Sequence, residues 1–158
     1  MTTIKNAAAD FLAAKRIAVT GVSRDAGNHG SNVVYNRLRD RGYDVFAVNP
    51  NADEVEGDPA YPDLASIPDG VDAVVIATRP AHAVGTMREC AELGIDRVWM
   101  HRSVGSGSVS DEATQLGREH GITVIDGGCP LMFDPVADGF HKLMRPVFTW
   151  THKVPRTV

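Results

Sequence analysis

The chain has 158 residues and a mass of 17.0 kDa, which is the size of one ordinary domain. With 43% hydrophobic and 23% charged residues, it needs no disulfide or metal ion to bury a sufficient core. Its formal net charge of −4 argues against non-specific binding to nucleic acid or to an anionic membrane, so we expect no nucleic-acid and no membrane partner.

The cysteines and histidines indicate the redox compartment of the protein and whether it binds a metal ion. Cys90 and Cys129 lack CxxC spacing, so we expect neither a disulfide framework nor a thiolate zinc site, and a reducing cytoplasm fits best. The six histidines form no HxxxH or HxH pair, so no metal site is predicted. Asp10 and Lys15 interrupt residues 1–20, and no uncharged run approaches ~18 apolar residues, so we expect no secretion signal and no membrane span.

Five short apolar runs recur along the chain, separated by segments with helical spacing. Each run is rich in β-branched residues and almost without interior charge; they span residues 16–20, 44–48, 72–77, 97–100 and 122–125. Runs that are apolar on both faces are typical of parallel strands covered by helices on both sides. We therefore predict five buried parallel strands.

Helices are predicted between these strands, at residues 30–41, 80–93 and 110–120, with an extra helix at about 6–14 before the first strand. The acidic segment 51–62, which contains Gly57, Pro59 and Pro62, is predicted to be a surface loop with room for a brief edge strand. The alternation predicts a doubly wound, mostly parallel five-stranded α/β sheet with helices on both faces. We expect one domain over residues 1–158, with its core at about 10–130.

The C-terminal extension, residues 131–158, ends in a basic and aromatic tail. Residues 141–158 carry four Lys and Arg and no Asp or Glu, and they include Phe148 and Trp150. Residues 147–152 alternate polar and apolar side chains as a strand does. We expect this tail to pack over the domain or against a second subunit, so that a homo-oligomer through the tail is one candidate assembly.

The first candidate site lies after the first strand, because ligands of doubly wound sheets bind outside the carboxyl ends of the strands. A glycine-rich bend begins Gly21-Val22-Ser23-Arg24 and reaches the next helix at Gly30. Such a bend presents free backbone N–H groups to a phosphate, although its glycines can also serve only to turn the chain. The dinucleotide fingerprint GxGxxG is broken, because Ser23 stands where its second glycine would be.

The second strand is followed by Asn49 and Pro50, where an NAD site would place a carboxylate for the ribose. Asn49 is neutral, so it either bonds an adenine or a ribose that bears a phosphate, or it forms an Asn-Pro turn.

Arginines follow three of the predicted strands, and we call Arg24, Arg79 and Arg102 the arginine rim. A guanidinium group matches phosphate oxygens in pairs, so an arginine rim on an acidic protein predicts a polyanionic ligand. Thr78 and Pro80 flank the second of these arginines, and His101 precedes the third.

Cys129 follows the fifth strand. We interpret it as a turn residue or a residue lining the ligand, because no Cys-His signature accompanies it. Covalent acyl transfer through Cys129 is the alternative.

A set of short motifs lies in a fixed order over about residues 10–130. They are IAVTGVS (17–23), GYDVFAVNP (42–50), YPDL (61–64), IP (67–68), VDAVVI (71–76), VWM (98–100) and CP (129–130). In this order they resemble the small stand-alone CoA-binding proteins, whose Rossmann-like domain is similar to the N-terminal part of the succinyl-CoA synthetase α subunit.

The resemblance implies that coenzyme A, free or acylated, lies across the strand ends. It implies that the phosphates contact Gly21, Val22 and Ser23, and that the nucleotide is bordered by Asn49 and Pro50. The pantetheine or the pyrophosphate would be flanked by Thr78, Arg79 and Pro80. This chain departs from the family at His101-Arg102-Ser103, where relatives tend to have Gln-Pro-Gly, and in the residues after Cys129-Pro130.

We interpret the chain as a cytoplasmic module that binds CoA or acyl-CoA as a carrier, sensor or regulator, without chemistry of its own. CoA ligation by these 158 residues alone is not expected, because they contain no recognisable phosphohistidine domain or ATP-grasp partner. An NAD(P)-dependent oxidoreductase is disfavoured by the broken fingerprint, and a Cys-dependent acyl transferase by the lack of an evident base. A third alternative is a protein-interaction module whose tail docks a partner.

Overall fold

The apolar runs of the sequence form the centre of a single sheet. The structure, a computed structural model, describes residues 2–25, 29–103 and 107–158. Within these ranges the strands are β1 (Arg16–Thr20), β2 (Asp44–Val48), β3 (Glu54–Val55), β4 (Asp58–Tyr61), β5 (Ala73–Ile76), β6 (Arg97–Met100) and β7 (Thr123–Asp126). Their order is β3-β4-β2-β1-β5-β6-β7, and neighbours are parallel except β3 with β4. The predicted doubly wound, mostly parallel fold is confirmed.

The sheet has seven strands rather than five, because the segment predicted as a surface loop folds into a hairpin. The turn between β3 and β4 places Glu56 at φ 51° and Gly57 at φ 80°, as two-residue hairpin turns require. β4 then pairs in parallel with the end of β2, through Ala60 and Tyr61. Glutamate is a poor residue for a left-handed conformation, so the sequence carried little sign of this turn.

Helices cover both faces of the sheet: α1 (Ile4–Leu12), α2 (Gly30–Asp40), α3 (Pro80–Glu92), α4 (Asp111–Glu119) and α5 (Gly139–Trp150). The buried residues of α1 and α2 share one hydrophobic cluster, and those of α3 and α4 share another. The strands supply both clusters alternately, since Ile17 and Val19 of β1 belong to the first and Ala18 to the second. No helix in the described ranges is both long enough and apolar enough to cross a membrane.

The prediction of a strand at residues 147–152 is wrong, because this tail is helical as far as Trp150. The side chain of Asp138 starts α5 by accepting a hydrogen bond from the His141 backbone N–H at 2.8 Å. Phe148 faces inward and is 8% exposed. The alternation over six residues was too short to reveal the helical period of the whole tail.

Trp99 of β6 is the largest fully buried side chain, and it joins the sheet to both ends of the chain. Its ring packs edge-on against Phe11 of α1 at 5.4 Å and lies 5.5 Å from the Phe133 ring. Its indole N–H donates to the backbone oxygen of Gly127 at 2.9 Å. The apolar burial and the satisfied N–H together explain why Trp is tolerated in this core.

Gly117 of α4 lets this helix pack closely on the sheet. A Cβ at this position would lie 2.6 Å from Cγ2 of Val124 and 2.8 Å from Sδ of Met87. We expect Gly117→Ala to lower the free energy of unfolding by roughly 1–2 kcal/mol, because overpacking outweighs the better helix propensity of alanine. The measurement is urea unfolding followed by circular dichroism.

The matched control is Gly85→Ala on α3, where no heavy atom lies within 4 Å of the added Cβ. There we expect a gain of about 0.5–1 kcal/mol from helix propensity. Equal effects of the two substitutions would contradict the packing of α4 described above.

Candidate functional site

A cavity of about 590 Å³ opens at the carboxyl ends of β1, β2, β4 and β5. Helix α3 forms one of its walls, and its size lies within the usual range for small-molecule sites. It is lined by Thr20, Gly21, Val22, Ser23, Val48, Asn49, Pro50, Asn51, Pro62, Asp63, Leu64, Thr78, His82, Gly85, Thr86 and Glu89.

The cavity exists because the chain leaves β1 and β5 toward opposite faces of the sheet, to α2 and α3 respectively. These two strands are neighbours, and their ends lie very close together. Gly21 has φ +74°, and a Cβ there would lie 2.7 Å from the backbone oxygen of Ala77. The hydroxyl oxygen of Thr20 accepts a hydrogen bond from the Ala77 N–H at 3.1 Å. Glycine at position 21 is therefore a requirement of both conformation and space.

The loop after β1 is held by Asn32, a buried residue of α2 that sequence reasoning missed. Its Oδ1 accepts from the Ser23 N–H at 2.8 Å, and its Nδ2 donates to the Ser23 oxygen at 3.0 Å. The same Nδ2 donates to Glu56 at 2.6 Å. Only the position of a polar residue on an otherwise buried helix face could have indicated this role.

A second polar group supports the hairpin that supplies Glu56. The Tyr35 hydroxyl donates to Asp58 at 2.7 Å, and Arg39 donates to the same carboxylate oxygen at 2.7 Å. The hydrogen bond from Tyr35 is the main cause that lowers the pKa of Asp58, and that from Asn32 is the main cause that lowers the pKa of Glu56. Both carboxylates therefore stay charged at neutral pH and anchor the hairpin beneath the loop after β1.

Two roles were predicted for Asn49, a hydrogen bond to the ligand and an Asn-Pro turn, and its side chain forms the turn. Its Nδ2 donates to the backbone oxygen of Val22 at 2.9 Å, and its Oδ1 accepts from the Asn51 N–H at 2.8 Å. The side chain thus ties the end of β2 to the loop after β1. One amide hydrogen and one lone pair remain for a ligand.

The α3 wall consists of residues that the sequence analysis did not select: His82, Gly85, Thr86 and Glu89. Their spacing of three or four residues puts them on one face of the helix. This spacing is the sequence feature that could have indicated them as cavity residues. Asp63 and Leu64 were also missed. The acids already have partners, since Glu89 accepts from the Ala65 N–H at 3.0 Å and Asp63 from the Ser66 N–H at 2.8 Å.

Six of the predicted site residues line the cavity together: Gly21, Val22, Ser23, Asn49, Pro50 and Thr78. The remaining ones do not appear in its lining: Arg24, Gly30, Arg79, Pro80, His101, Arg102 and Cys129. Arg24 and Arg79 are exposed, and Arg102 is half-buried. Positions 26–28 of the glycine-rich bend and positions 104–106 lie outside the described residues. The arginine rim therefore does not form the described wall of the cavity, and its contact with a ligand stays a prediction.

The side chains of His101 and Cys129 are largely shielded from solvent. A Cβ on Gly30 would be 3.2 Å from Cε1 of His101, so this ring packs against the start of α2. Burial, with a smaller effect from nearby His141, lowers the pKa of His101 to about 4, so the imidazole is neutral at pH 7. Burial raises the pKa of Cys129 to about 12 and that of Cys90 likewise to about 12. Neither thiol is prepared to act as a nucleophile.

Two features of the cavity edge suit a phosphorylated ligand. Thr78 lines the cavity, and its hydroxyl oxygen is buried without a hydrogen-bond partner in the described part of the chain. Helices α2 and α3, which start at this edge, have no side-chain cap among the described residues, whereas Thr3, Ser110 and Asp138 cap α1, α4 and α5. The uncapped N-terminus of α2 offers free N–H groups to an anion, whereas α3 offers fewer, because Pro80 has no N–H and the His82 N–H already donates to the Arg79 oxygen at 2.9 Å. Across residues 2–25, 29–103 and 107–158, no group of three or more His, Cys, Asp or Glu could hold a metal ion.

Comparison with known families and proteins gives a consistent result. The model of a family described as a CoA binding domain matches residues 15–135, which include the whole described lining of the cavity. The uncharacterized protein YneT of Bacillus subtilis is 35% identical over 115 residues, covering 73% of this chain and 82% of that protein. The ADP-forming acetate-CoA ligase II of Archaeoglobus fulgidus is 40% identical over 88 residues, covering 54% of this chain and 13% of the ligase. The matched segment thus spans about an eighth of that ligase.

Solved structures agree with the fold. A hypothetical protein from Pyrococcus horikoshii OT3 superposes with a TM-score of 0.73 at 26% identity, covering 80% of this chain and 87% of that one. The structure of cell-free ID.343 from Thermus thermophilus gives a TM-score of 0.65 at 27% identity, covering 76% and 88%.

The burial of both cysteines leads to a prediction about their reactivity. In the folded protein we expect neither Cys90 nor Cys129 to react with a thiol reagent such as DTNB between pH 7 and pH 9, because their raised pKa values leave almost no thiolate in that range. Two thiols per chain should react after denaturation. Rapid native labelling that disappears in Cys129→Ser would show instead that this thiol is activated.

Proposed function

The chain belongs to the CoA binding domain family, and we propose that it binds coenzyme A, free or acylated, across the cavity at the strand ends. It does so in the cytoplasm as a carrier, sensor or regulatory module without chemistry of its own. The observation that carries this proposal is that the family match encloses every described lining residue, from Thr20 to Glu89. The bound cofactor would supply a thiol that carries acyl groups.

The charge of the cavity lining indicates which part of the ligand binds inside the cavity and which part binds outside it. The cavity wall contains Asp63 and Glu89 but, among its described residues, neither Lys nor Arg. A carboxylate repels phosphate, so a neutral part of CoA fits inside and the phosphates fit outside. Arg24 and Arg79, exposed at the same edge, together with the uncapped start of α2, are the phosphate contacts that we propose.

Thr78 supports this assignment from within the cavity. A buried hydroxyl without a partner costs about 1–3 kcal/mol, which a hydrogen bond to a ligand would recover. Because Thr78 itself lines the cavity, a change of its χ1 rotamer is the movement that would bring the hydroxyl to a ligand. Asn49 adds the remaining amide hydrogen and lone pair noted above, at a place where an NAD site would carry an acid.

The catalytic alternatives find no support in the geometry. An acyl transferase needs an activated thiol, but burial raises the pKa of Cys129 to about 12. The His101 imidazole is neutral and packed against Gly30, outside the described lining of the cavity. Ligation of acetate to CoA is named for relatives that this chain matches over only a small part of their length, such as the Archaeoglobus enzyme.

Isothermal titration calorimetry with CoA, acetyl-CoA and NAD tests the proposal. We expect saturable binding of one molecule of CoA or acetyl-CoA per chain, and affinity for NAD at least ~100-fold weaker, a difference of about 2.7 kcal/mol. The physical reason is the neutral Asn49 where an NAD ribose would need a carboxylate. Binding of NAD with no response to either CoA species would reject the proposed function.

Thr78→Val separates binding from folding. Valine has the same shape but removes a buried hydroxyl that has no described partner, so we expect unfolding stability to stay equal or rise slightly. The CoA affinity should fall by about 0.5–1.5 kcal/mol, because one hydrogen bond to the ligand is lost.

The control for this variant is Thr149→Val on α5, whose hydroxyl donates to the Arg145 oxygen at 2.9 Å outside the cavity. Unchanged CoA affinity in Thr149→Val is expected. Unchanged affinity in Thr78→Val as well would remove Thr78 from the site.

A further inference from the structure

Helix α5 carries an apolar stripe that faces away from the rest of the molecule. The stripe consists of Phe140, Leu143, Val147 and Trp150, which are 69%, 73%, 47% and 79% exposed. Only two other large hydrophobic side chains in the described ranges, Val33 of α2 and Leu93 at the C-cap of α3, reach the exposed class, and both lie outside α5. The CoA cavity does not account for the stripe, because none of its residues belongs to the described lining.

The opposite side of α5 already fixes this helix to the domain. Phe148 is 8% exposed and belongs to the hydrophobic cluster that contains α1 and α2, and Met144 packs against the same cluster. The stripe therefore cannot turn inward without removing these side chains from the core. Since a helix that is apolar on both sides is typical of a buried helix, a second surface must cover α5.

The area of the stripe is more than half of what a standard dimer contact buries on each partner. Taking 150–250 Å² for a whole aromatic side chain, the four side chains expose roughly 500 Å². A patch of this size equals the largest apolar patch of a typical monomeric protein, and such patches are often functional. A standard interface buries about 800 Å² on each partner, so the stripe supplies more than half and its polar border can supply the rest.

The charges on α5 distinguish a second protein surface from a lipid surface. Lys142 pairs with Asp134 of its own chain at 2.8 Å. Arg145 donates to the Met132 oxygen at 3.4 Å and lies over the Phe133 ring at 5.2 Å. Binding to an anionic membrane would need free cations beside the apolar stripe, but both cations of this helix are engaged within the chain. For the same reason, two copies of the helix would not repel each other strongly.

The spacing of the stripe points to a second copy of this chain as the occupant. Steps of three, four and three residues from Phe140 to Trp150 put the four side chains on one face of the helix, on either side of Pro146, and this apolar seam is matched by the same seam of a second copy. Hydroxyl groups near the seam are satisfied within the helix, since Thr151 donates to the Val147 oxygen at 3.0 Å. The seam is thus apolar and self-complementary, as an isologous interface requires.

We propose that the protein forms a two-fold symmetric homodimer in which the stripe on α5 packs against the same stripe of a second copy. Because the described lining of the cavity comes from other elements, the dimer contact takes no residue from it. This inference does not depend on the identity of the ligand.

Light scattering coupled to size-exclusion chromatography tests the dimer at micromolar protein. We expect twice the chain mass of 17.0 kDa for the wild-type protein. Leu143→Glu should raise the dimer dissociation constant by roughly 100-fold or more, because it places a charge at the centre of the seam. The matched control is Leu93→Glu at the end of α3, the same substitution at an exposed leucine outside the stripe, which should leave the dimer intact.

Tryptophan fluorescence provides an independent reading on dilution. Trp99 is fully buried and gives a constant signal, whereas Trp150 is 79% exposed in the single chain. Association should shift the emission of Trp150 to shorter wavelength, and Leu143→Glu should abolish that shift while circular dichroism remains unchanged.

Three results would overturn the proposal. The first is a wild-type protein that stays monomeric at 100 micromolar, and the second is a dimer that survives Leu143→Glu. The third is a monomer that floats with phosphatidylserine vesicles but not with neutral ones, which would assign the stripe to a lipid surface.

Discussion

The close approach of β1 and β5 at the centre of the sheet is the constraint on which the site depends. No Cβ fits at Gly21, because the backbone oxygen of Ala77 lies only 2.7 Å from where that atom would be. The hydrogen bond from the Ala77 N–H to Thr20 holds the two strand ends at this distance. Since the chain then leaves for α2 on one face and α3 on the other, a crevice opens between the connections. The cavity is a consequence of this topology.

The loop after β1 owes its shape to a buried polar network. Asn32 satisfies both the N–H and the oxygen of Ser23, and Glu56 satisfies Asn32 in turn. Asp58 and Tyr35 hold the hairpin that carries Glu56. A loop whose backbone polar groups are paired in this way is arranged before any ligand arrives, which reduces the entropy cost of binding. The small β3–β4 hairpin is therefore part of the support of the site.

Charge is unevenly distributed around the cavity. The described wall carries two acids that bond to the backbone of the segment after β4, while Arg24 and Arg79 are exposed and lie outside the described lining. The match to the CoA binding domain family ends at residue 135, just before α5 begins. The described lining of the cavity and the apolar stripe of α5 thus occupy separate parts of the chain.

The sequence alone was sufficient for five of the seven strands, because strands buried on both faces leave continuous apolar runs such as DAVVIA at 72–77, whereas the short β3–β4 hairpin leaves no such run. Gly21, Asn49 and Thr78 were predicted as site residues because strand ends in a doubly wound fold share one edge. The roles of Asn32 and Glu56 depend on hydrogen bonds between segments 9 and 24 residues apart, which no local pattern encodes. The arginine rim was predicted from backbone position, but only the tertiary structure decides where a long side chain points. The helical form of the tail was likewise decided by tertiary structure, because burial of Phe148 and the cap at Asp138 outweigh a short alternating pattern.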